Sequence, residues 1–343
     1  MDKRTFPISS VYLTRRCPRA CEYCRIRDPA SLSGPELSIL QWKRAFKILK
    51  EIGVEFNVVL GNEVLMLREG LVELTGYLNK ENILYAYYTT FPEPLWSTYR
   101  DDLVAAKVYN FSSGIDTLPK YSPPNSDIAK KSEAGLLNLG WCKAHGIPDT
   151  HATVTVSRLN LPYLPSLVQD ISDKGIWIAL NPIHHNKHDD KFDFFPPPEE
   201  IQDLLLTEKD LLNMIRIAKQ LQAGVIQGKY RIQNTPEFFF DWIKHGIKQD
   251  WHCSPDTMIF CVDSDGMMRT CSYRRDTLSA KYSIFDLPEK LDEFLEENRK
   301  DRANCSGCLW YCWWQLDNLQ KTGSTMAKDK FRTHKSEYFK EEK

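Results

Sequence analysis

The sequence predicts an α/β fold, a parallel sheet wrapped by helices, with a small α+β extension behind it. Three observations carry that expectation. From residue 8 to about 185, short β-rich runs alternate with amphipathic helical stretches, as βα units do. About six such units can be counted, fewer than the eight that close a TIM barrel. After Cys253 the pattern changes to a hairpin-like alternation, a charged helix and a cysteine-rich segment.

The elements follow in order. SSVYLTRR (9–16) forms the first strand and leads into a cysteine loop. LSILQWKRAFKILKEIG (37–53) has apolar residues at three- and four-residue spacing and a closing glycine, so it reads as a helix. VEFNVVLG, ILYAYYTTF and AAKVYNFSSG supply the next three strands, with a helix over LREGLVELTGYLNK after the first of them. A long helix from about Asp127 to His145 precedes the strand HATVTVSRL, and a further helix precedes GIWIALNPI. Between 192 and 251 the pattern is mainly helical, opening on the three prolines of FDFFPPPEE, which mark a boundary or a stiff loop. MIFCVDSDGMMRTC (258–271) alternates around Asp-Gly as a hairpin does. The helix LPEKLDEFLEENRK and the segment CSGCLWYCWW follow. The expected organisation is a core over 1–190, a mainly helical linking region over 191–250, an extension over 251–325 and a mixed-charge tail over 326–343.

With 343 residues and 42% hydrophobic content, the chain can bury a large core and a smaller one. Its 45 basic and 46 acidic residues leave a net charge of -1, so no global field recruits nucleic acid or an acidic membrane. The opening MDKRTFPISSVYL lacks the apolar region of a signal peptide, and no run approaches the roughly 18 apolar residues of a membrane span. The expected location is therefore the cytoplasm. Ten cysteines in a reducing compartment read as metal ligands rather than disulfides. Cys142 stands apart on an apolar helical face, where it reads as a buried small hydrophobe.

Cys17, Cys21 and Cys24 are separated by three and then two residues on the loop leaving the first strand. Three thiolates so spaced can hold three corners of an iron-sulfur cubane and leave its fourth iron open to a small ligand. The alternative, a structural zinc site, needs a fourth ligand and usually pairs two short Cys-x-x-Cys units. With Tyr23 the motif reads C-x-x-x-C-x-aromatic-C, and it resembles the hallmark of the radical S-adenosylmethionine superfamily. The resemblance implies a partial (β/α)6 TIM-like barrel and a 4Fe-4S cluster on the three cysteines. It also implies S-adenosylmethionine chelated to the open iron and cleaved to a 5'-deoxyadenosyl radical, the hard chemistry being the cofactor's.

Further positions carry over from that family. VVLGNEVLM stands where it has Gly-Gly-Glu; Gly61 and Glu63 match, and Asn62 departs. A glycine lets backbone approach the ligand, and a carboxylate at 63 can accept from the methionine ammonium, or else is a solvated loop group. Thr89 and Thr90, and Ser112 and Ser113, fall where the family has polar residues near the ribose, although turn or capping roles suit them equally. Asn160, Asn181 and Ile183 are comparable candidates for ribose or adenine contact.

Cys253 and Cys271 frame Gly266 in a C-x(12)-G-x(4)-C pattern, and Cys305 with Cys308 supplies a C-x-x-C. This resembles a SPASM or twitch extension, a hairpin plus helix carrying auxiliary clusters. Six cysteines cannot fully ligate two four-iron clusters. One auxiliary 4Fe-4S cluster is therefore expected, on Cys253, Cys271, Cys305 and Cys308, with Cys261 or Cys312 able to replace one of them. Zinc is again the alternative.

His184, His185 and Lys187, after the sixth strand, lie on the side where barrel enzymes build their sites and are either substrate contacts or solvated loop groups. Trp310, Trp313 and Trp314 read as packing around the second cysteine group. The resemblance implies a peptide or small-molecule substrate and an electron donor such as flavodoxin or ferredoxin. Peptide-modifying members often carry a leader-binding domain ahead of the barrel; with the motif starting at residue 17, a separate protein would bind the leader. RNA or cofactor modification is a second reading, which balanced charge does not favour. A non-enzymatic zinc or iron-sulfur interaction protein is a third, and it leaves the Gly61 to Glu63 match unexplained.

Overall fold

The computed structural model describes residues 5–19, 21, 23–24, 34–123, 125–185, 198–271 and 281–322. Lys187, the proline boundary up to residue 197 and the tail from 326 lie outside the described residues.

Six parallel strands form the body of the sheet: β1 (Phe6–Tyr12), β2 (Val54–Leu60), β3 (Leu84–Tyr88), β4 (Asn110–Gly114), β5 (Asp149–Val156) and β6 (Trp177–Pro182). They lie side by side in chain order, each joined to the next by a helical connection, so the fold is a partial TIM-like barrel. The crossover helices are α1 (Ile39–Ile52), α2 (Glu69–Lys80), α3 (Leu95–Ala105), α4 (Asp127–Ala144) and α5 (Leu164–Asp173). Helix α1 shows how local sequence sets its limits: Ser38 and Gln41 form a capping box, and Gly53 closes the end at φ 102°.

Strand faces follow the period-two rule. On β5, Ala152, Val154 and Val156 are buried in the core between sheet and helices. Asp149, His151, Thr153 and Thr155 alternate onto the inner wall. The register puts Tyr88, Ser112, His151 and Trp177 opposite one another along one row crossing four strands. The outer face is closed by large rings, among them Trp96, Phe111 and Trp42, all without exposure. Cys142 is fully buried in the same core.

The linking region is helical as expected, with α6 (Leu211–Ile226) and α7 (Pro236–His245), but it also extends the sheet. Ile232 bridges Ile178 in parallel, Ile178 N–H donates to Arg231 O at 2.7 Å, and Gln233 N–H donates to Ile178 O at 2.8 Å. The Asn234 side chain continues the ladder, accepting from Leu180 N–H at 2.7 Å and donating to Leu180 O at 2.9 Å. The edge of β6 is thus paired rather than open.

The hairpin of the extension is β7 (Phe260–Val262) with β8 (Met268–Arg269), followed by α8 (Leu287–Ala303) and α9 (Tyr311–Thr322). Gly266, at φ 81°, donates its N–H to Asp263 O at 2.8 Å, the turn that Asp-Gly predicts. Strand β7 pairs in parallel with β1, Ser10 opposite Cys261, so the hairpin continues the barrel's own sheet and protects its other edge.

Candidate functional site

The cysteine loop leaves β1 at its C-terminal end, where the inner wall opens. Cys17, Cys21 and Cys24 are all partly exposed, with Cys24 N–H turning back to Cys21 O at 3.0 Å. Burial pushes the Cys17 thiol up to about 11, and the charges of Glu63 and Cys21 add to the rise. Glu63 and the first cysteine therefore sit within electrostatic reach of one another. Arg19, on the same loop, donates to the Thr90 hydroxyl at 3.3 Å.

Glu63 is fully buried. One of its oxygens accepts from the Thr89 hydroxyl at 2.6 Å and from Leu65 N–H at 3.2 Å; the other accepts from Thr90 N–H at 2.8 Å and the Thr90 hydroxyl at 2.7 Å. Burial raises its carboxyl above the ordinary value even though all four donors oppose the rise. The solvated loop carboxylate that the sequence allowed is excluded by this burial. Thr89 and Thr90 act here as donors to Glu63. Asn62 also has a structural task, since its amide donates to Arg15 O and its N–H to Thr14 O at 3.2 Å. A second glycine in place of Asn62 would lose the side-chain bond. Gly61 lies close against Thr14, 3.4 Å from the place of a Cβ.

Sequence reasoning missed two residues beside Tyr23. The Tyr23 hydroxyl donates to Asp116 Oδ2, and Lys131 Nζ, on α4, donates to Tyr23 at 2.8 Å and to Asp116 at 2.9 Å. Lys131 and Asp116 are 6% and 3% exposed. Burial alone would raise the Asp116 carboxyl, but Lys131, Tyr23 and Thr155 N–H together hold it below the ordinary range. Burial likewise opposes the Lys131 charge, and Asp116, Tyr23 and Cys21 together outweigh it, holding the ammonium well above its ordinary value. The available signal was a lysine on the helix face that also carries buried Ser132 and Gly135.

Other candidates separate. Ser112 faces the inner wall with Asn110, which it meets at 3.4 Å. Ser113 turns outward, where a Cβ at Gly135 of α4 would come within 2.8 Å of its hydroxyl, so it packs against α4. The Asn160 amide donates to Asp116 O and Thr155 O, each at 2.8 Å, while its oxygen accepts from Ser157 N–H at 2.9 Å. That occupies the side chain as a clamp between the β4 and β5 ends. Asn181 accepts from Tyr311 N–H at 3.0 Å, fastening α9 to β6. Ile183 and His185 line a cavity of about 320 Å³ shared with Glu199, Thr207 and Gln249 of the linking region. His184 is buried with its ring 5.8 Å from that of Trp310.

In the extension, Cys253, Cys271, Cys305 and Cys308 lie within electrostatic reach of one another. Burial pushes Cys253 up to about 12, and the charges of Cys271 and Cys305 add to it. Cys308 is raised by burial and then by Cys253, Cys271 and Cys305. Cys261 packs on β7 with Ile259, Trp313 and Leu316, against Cys253 and Cys271. The charge of Cys312 is felt by Tyr88 on the inner wall and by Tyr311. Among the described residues, no three His, Cys, Asp or Glu side chains converge as ligands of a single metal ion do. The all-thiol donor set of the first loop suits a four-iron cluster.

No family model matches the chain. A probable GTP 3',8-cyclase of Methanopyrus kandleri is 27% identical over 181 residues, 50% of this chain and 54% of the relative, so the chain covers about half the length of the curated relative it matches. The structure of Streptococcus suis SuiB bound to S-adenosylmethionine superposes with a TM-score of 0.61 at 13% identity, over 84% of this chain and 66% of that one. Native anSMEcpe with bound AdoMet superposes with a TM-score of 0.52 at 15% identity, over 94% of this chain and 100% of that one. At these identities the likeness to the two structures is one of fold. No described helix is long and apolar enough to cross a membrane. In its cysteine motif at the end of β1 and the partial barrel behind it the chain resembles the radical S-adenosylmethionine superfamily, and half of it is similar to the cyclase.

Proposed function

We propose that the chain reductively cleaves S-adenosylmethionine at a cluster held by Cys17, Cys21 and Cys24, and uses the resulting radical to abstract hydrogen from a peptide or small metabolite. The observation that carries this reading is Glu63, a fully buried carboxylate close enough to Cys17 to raise its thiol. Cys17, Cys21 and Cys24 would hold the four-iron cluster, which would supply one electron to the sulfonium. Around it, Thr89 and Thr90 aim both Glu63 oxygens, and Arg19 ties the loop to Thr90. The threonine hydroxyls can rotate away, which would let Glu63 accept from a substrate ammonium without moving its backbone. Tyr23, Asp116 and Lys131 fix the far end of the loop.

For the extension, we infer that Cys253, Cys271, Cys305 and Cys308 hold an auxiliary four-iron cluster that assists electron transfer or substrate binding. A peptide substrate is favoured because SuiB, whose structure with its precursor peptide SuiA superposes with a TM-score of 0.57, shares the fold. Glu63→Gln should weaken binding of S-adenosylmethionine by about 1–3 kcal/mol, since a charge-assisted contact becomes neutral. Calorimetry under anaerobic conditions reads this. Unchanged affinity with a lowered melting temperature would make Glu63 a purely internal tie among β2, β3 and the loop.

A further inference from the structure

We propose that the Asp263–Gly266 turn of the extension clamps the base of the Cys17–Cys24 loop, with Asp263 as the positioning residue. The loop leaves the sheet at Thr14 and returns at Glu36, and these ends are stitched together. Glu36 accepts from the Thr14 hydroxyl at 2.6 Å and Arg15 N–H at 2.8 Å, and pairs with Arg16 at 3.1 Å. Both ends are then fastened to one residue of the hairpin turn. On the outgoing side, Arg15 Nε donates to the Ser264 hydroxyl at 3.0 Å; on the returning side, Leu37 N–H donates to Ser264 O at 2.7 Å.

Asp263 supplies the charge that orients this junction. Its side chain is 1% exposed, and Oδ2 accepts from Arg15 at 3.3 Å and from Arg269 of β8 at 2.5 Å, while Oδ1 accepts from Ser264 N–H at 2.8 Å. Asp265 adds a second carboxylate 3.6 Å from Arg15. Two arginines and two aspartates therefore balance in a partly buried cluster, and a fixed planar guanidinium transmits the turn's position to the residue two before Cys17. Gly266 is needed as glycine, being at φ 81° with Leu37 only 3.1 Å from where a Cβ would stand. The hairpin that frames the second cysteine group thus also sets the geometry of the first.

The inference makes the extension part of the first site, and its functional consequence rests on the reading that the Cys17–Cys24 loop binds the cofactor. The test needs no cofactor. In the full-length, reduced, metal-free chain, a pulse of iodoacetamide read by mass spectrometry gives a labelling rate for each cysteine. Arg15→Gln should speed labelling of Cys17, Cys21 and Cys24 by about tenfold, because the loop opens locally more often. Cys142 in the barrel core and Cys253 in the extension should label at wild-type rates. Arg15→Lys, which keeps the charge but not the fork, should fall between, and Asp263→Asn should match Arg15→Gln. If Asp263→Asn unfolds the hairpin through loss of Arg269, Arg15→Gln decides, since it leaves the pair of Asp263 with Arg269 intact. Wild-type rates at all three loop cysteines in Arg15→Gln would overturn the proposal, and so would equal acceleration at Cys142, which would mean global unfolding. In the iron-loaded chain, Arg15→Gln should also bind S-adenosylmethionine about tenfold more weakly at unchanged iron content. Failure of the wild type to bind it would sink the functional reading while leaving the labelling result in place.

Discussion

Lys131→Met should cost the fold about 3–5 kcal/mol at neutral pH, the usual consequence of removing one partner from a buried ion pair. Lys131 is the cation facing Asp116 Oδ2, and both side chains are almost wholly out of water. Without the ammonium, Asp116 keeps Tyr23 and Thr155 N–H as donors but loses its countercharge. Its carboxyl then rises, because burial is no longer outweighed. The sign of the pH dependence follows. In the native chain, where the Asp116 pKa is held down, its stabilisation is present above the unfolded carboxyl value and is lost only as pH falls through the lower folded value. In the variant, with a folded value above the unfolded one, the penalty grows as pH rises between them. The stability deficit measured by urea unfolding should therefore shrink on acidification from neutral pH toward about 4. A deficit under about 1 kcal/mol, or one constant with pH, would mean that Asp116 does not rely on Lys131. Since Lys131 also holds the Tyr23 hydroxyl, the same change should loosen the cysteine loop.

Changing Cys305 and Cys308 together to alanine should lower the iron content from about eight to about four per chain, as loss of one of two four-iron clusters requires. The first group should still support slow cleavage of S-adenosylmethionine with dithionite, while conversion of substrate is lost. The segment does not depend on its thiols alone for position. Cys308 N–H donates to Trp251 O at 2.8 Å, and Gly307, at φ 92°, lies where a Cβ would be 2.7 Å from that same carbonyl. Circular dichroism should therefore remain native-like. A folded double variant that keeps about eight irons, or that converts substrate at the wild-type rate, would remove the auxiliary cluster from the account.

The six strands of the barrel could be read in advance because their outer faces carry runs such as Ala152, Val154 and Val156 while polar residues alternate inward. The cysteine loop was legible because its ligands are close in sequence. What stayed hidden depends on contacts between distant residues. The acceptor for Tyr23 is 93 residues away, and the hairpin that clamps Arg15 is 248 residues away. No local pattern marks either. The pairing of Ile232 with Ile178 was hidden for another reason, as it involves too few residues to show a period. Asn160 and Ser113 show the same limit, since a short polar group after a strand looks the same in sequence whether it meets a ribose or a carbonyl.

The most direct test of the central claim compares wild type with Cys24→Ala. Both chains, prepared anaerobically with iron and sulfide, are incubated with dithionite and S-adenosylmethionine, and 5'-deoxyadenosine is quantified by liquid chromatography. The wild type should form it, and Cys24→Ala should form none, because no other thiolate in that loop can take over the corner ligand. Equal yields from the two chains, or no 5'-deoxyadenosine from an iron-loaded wild type, would contradict the account.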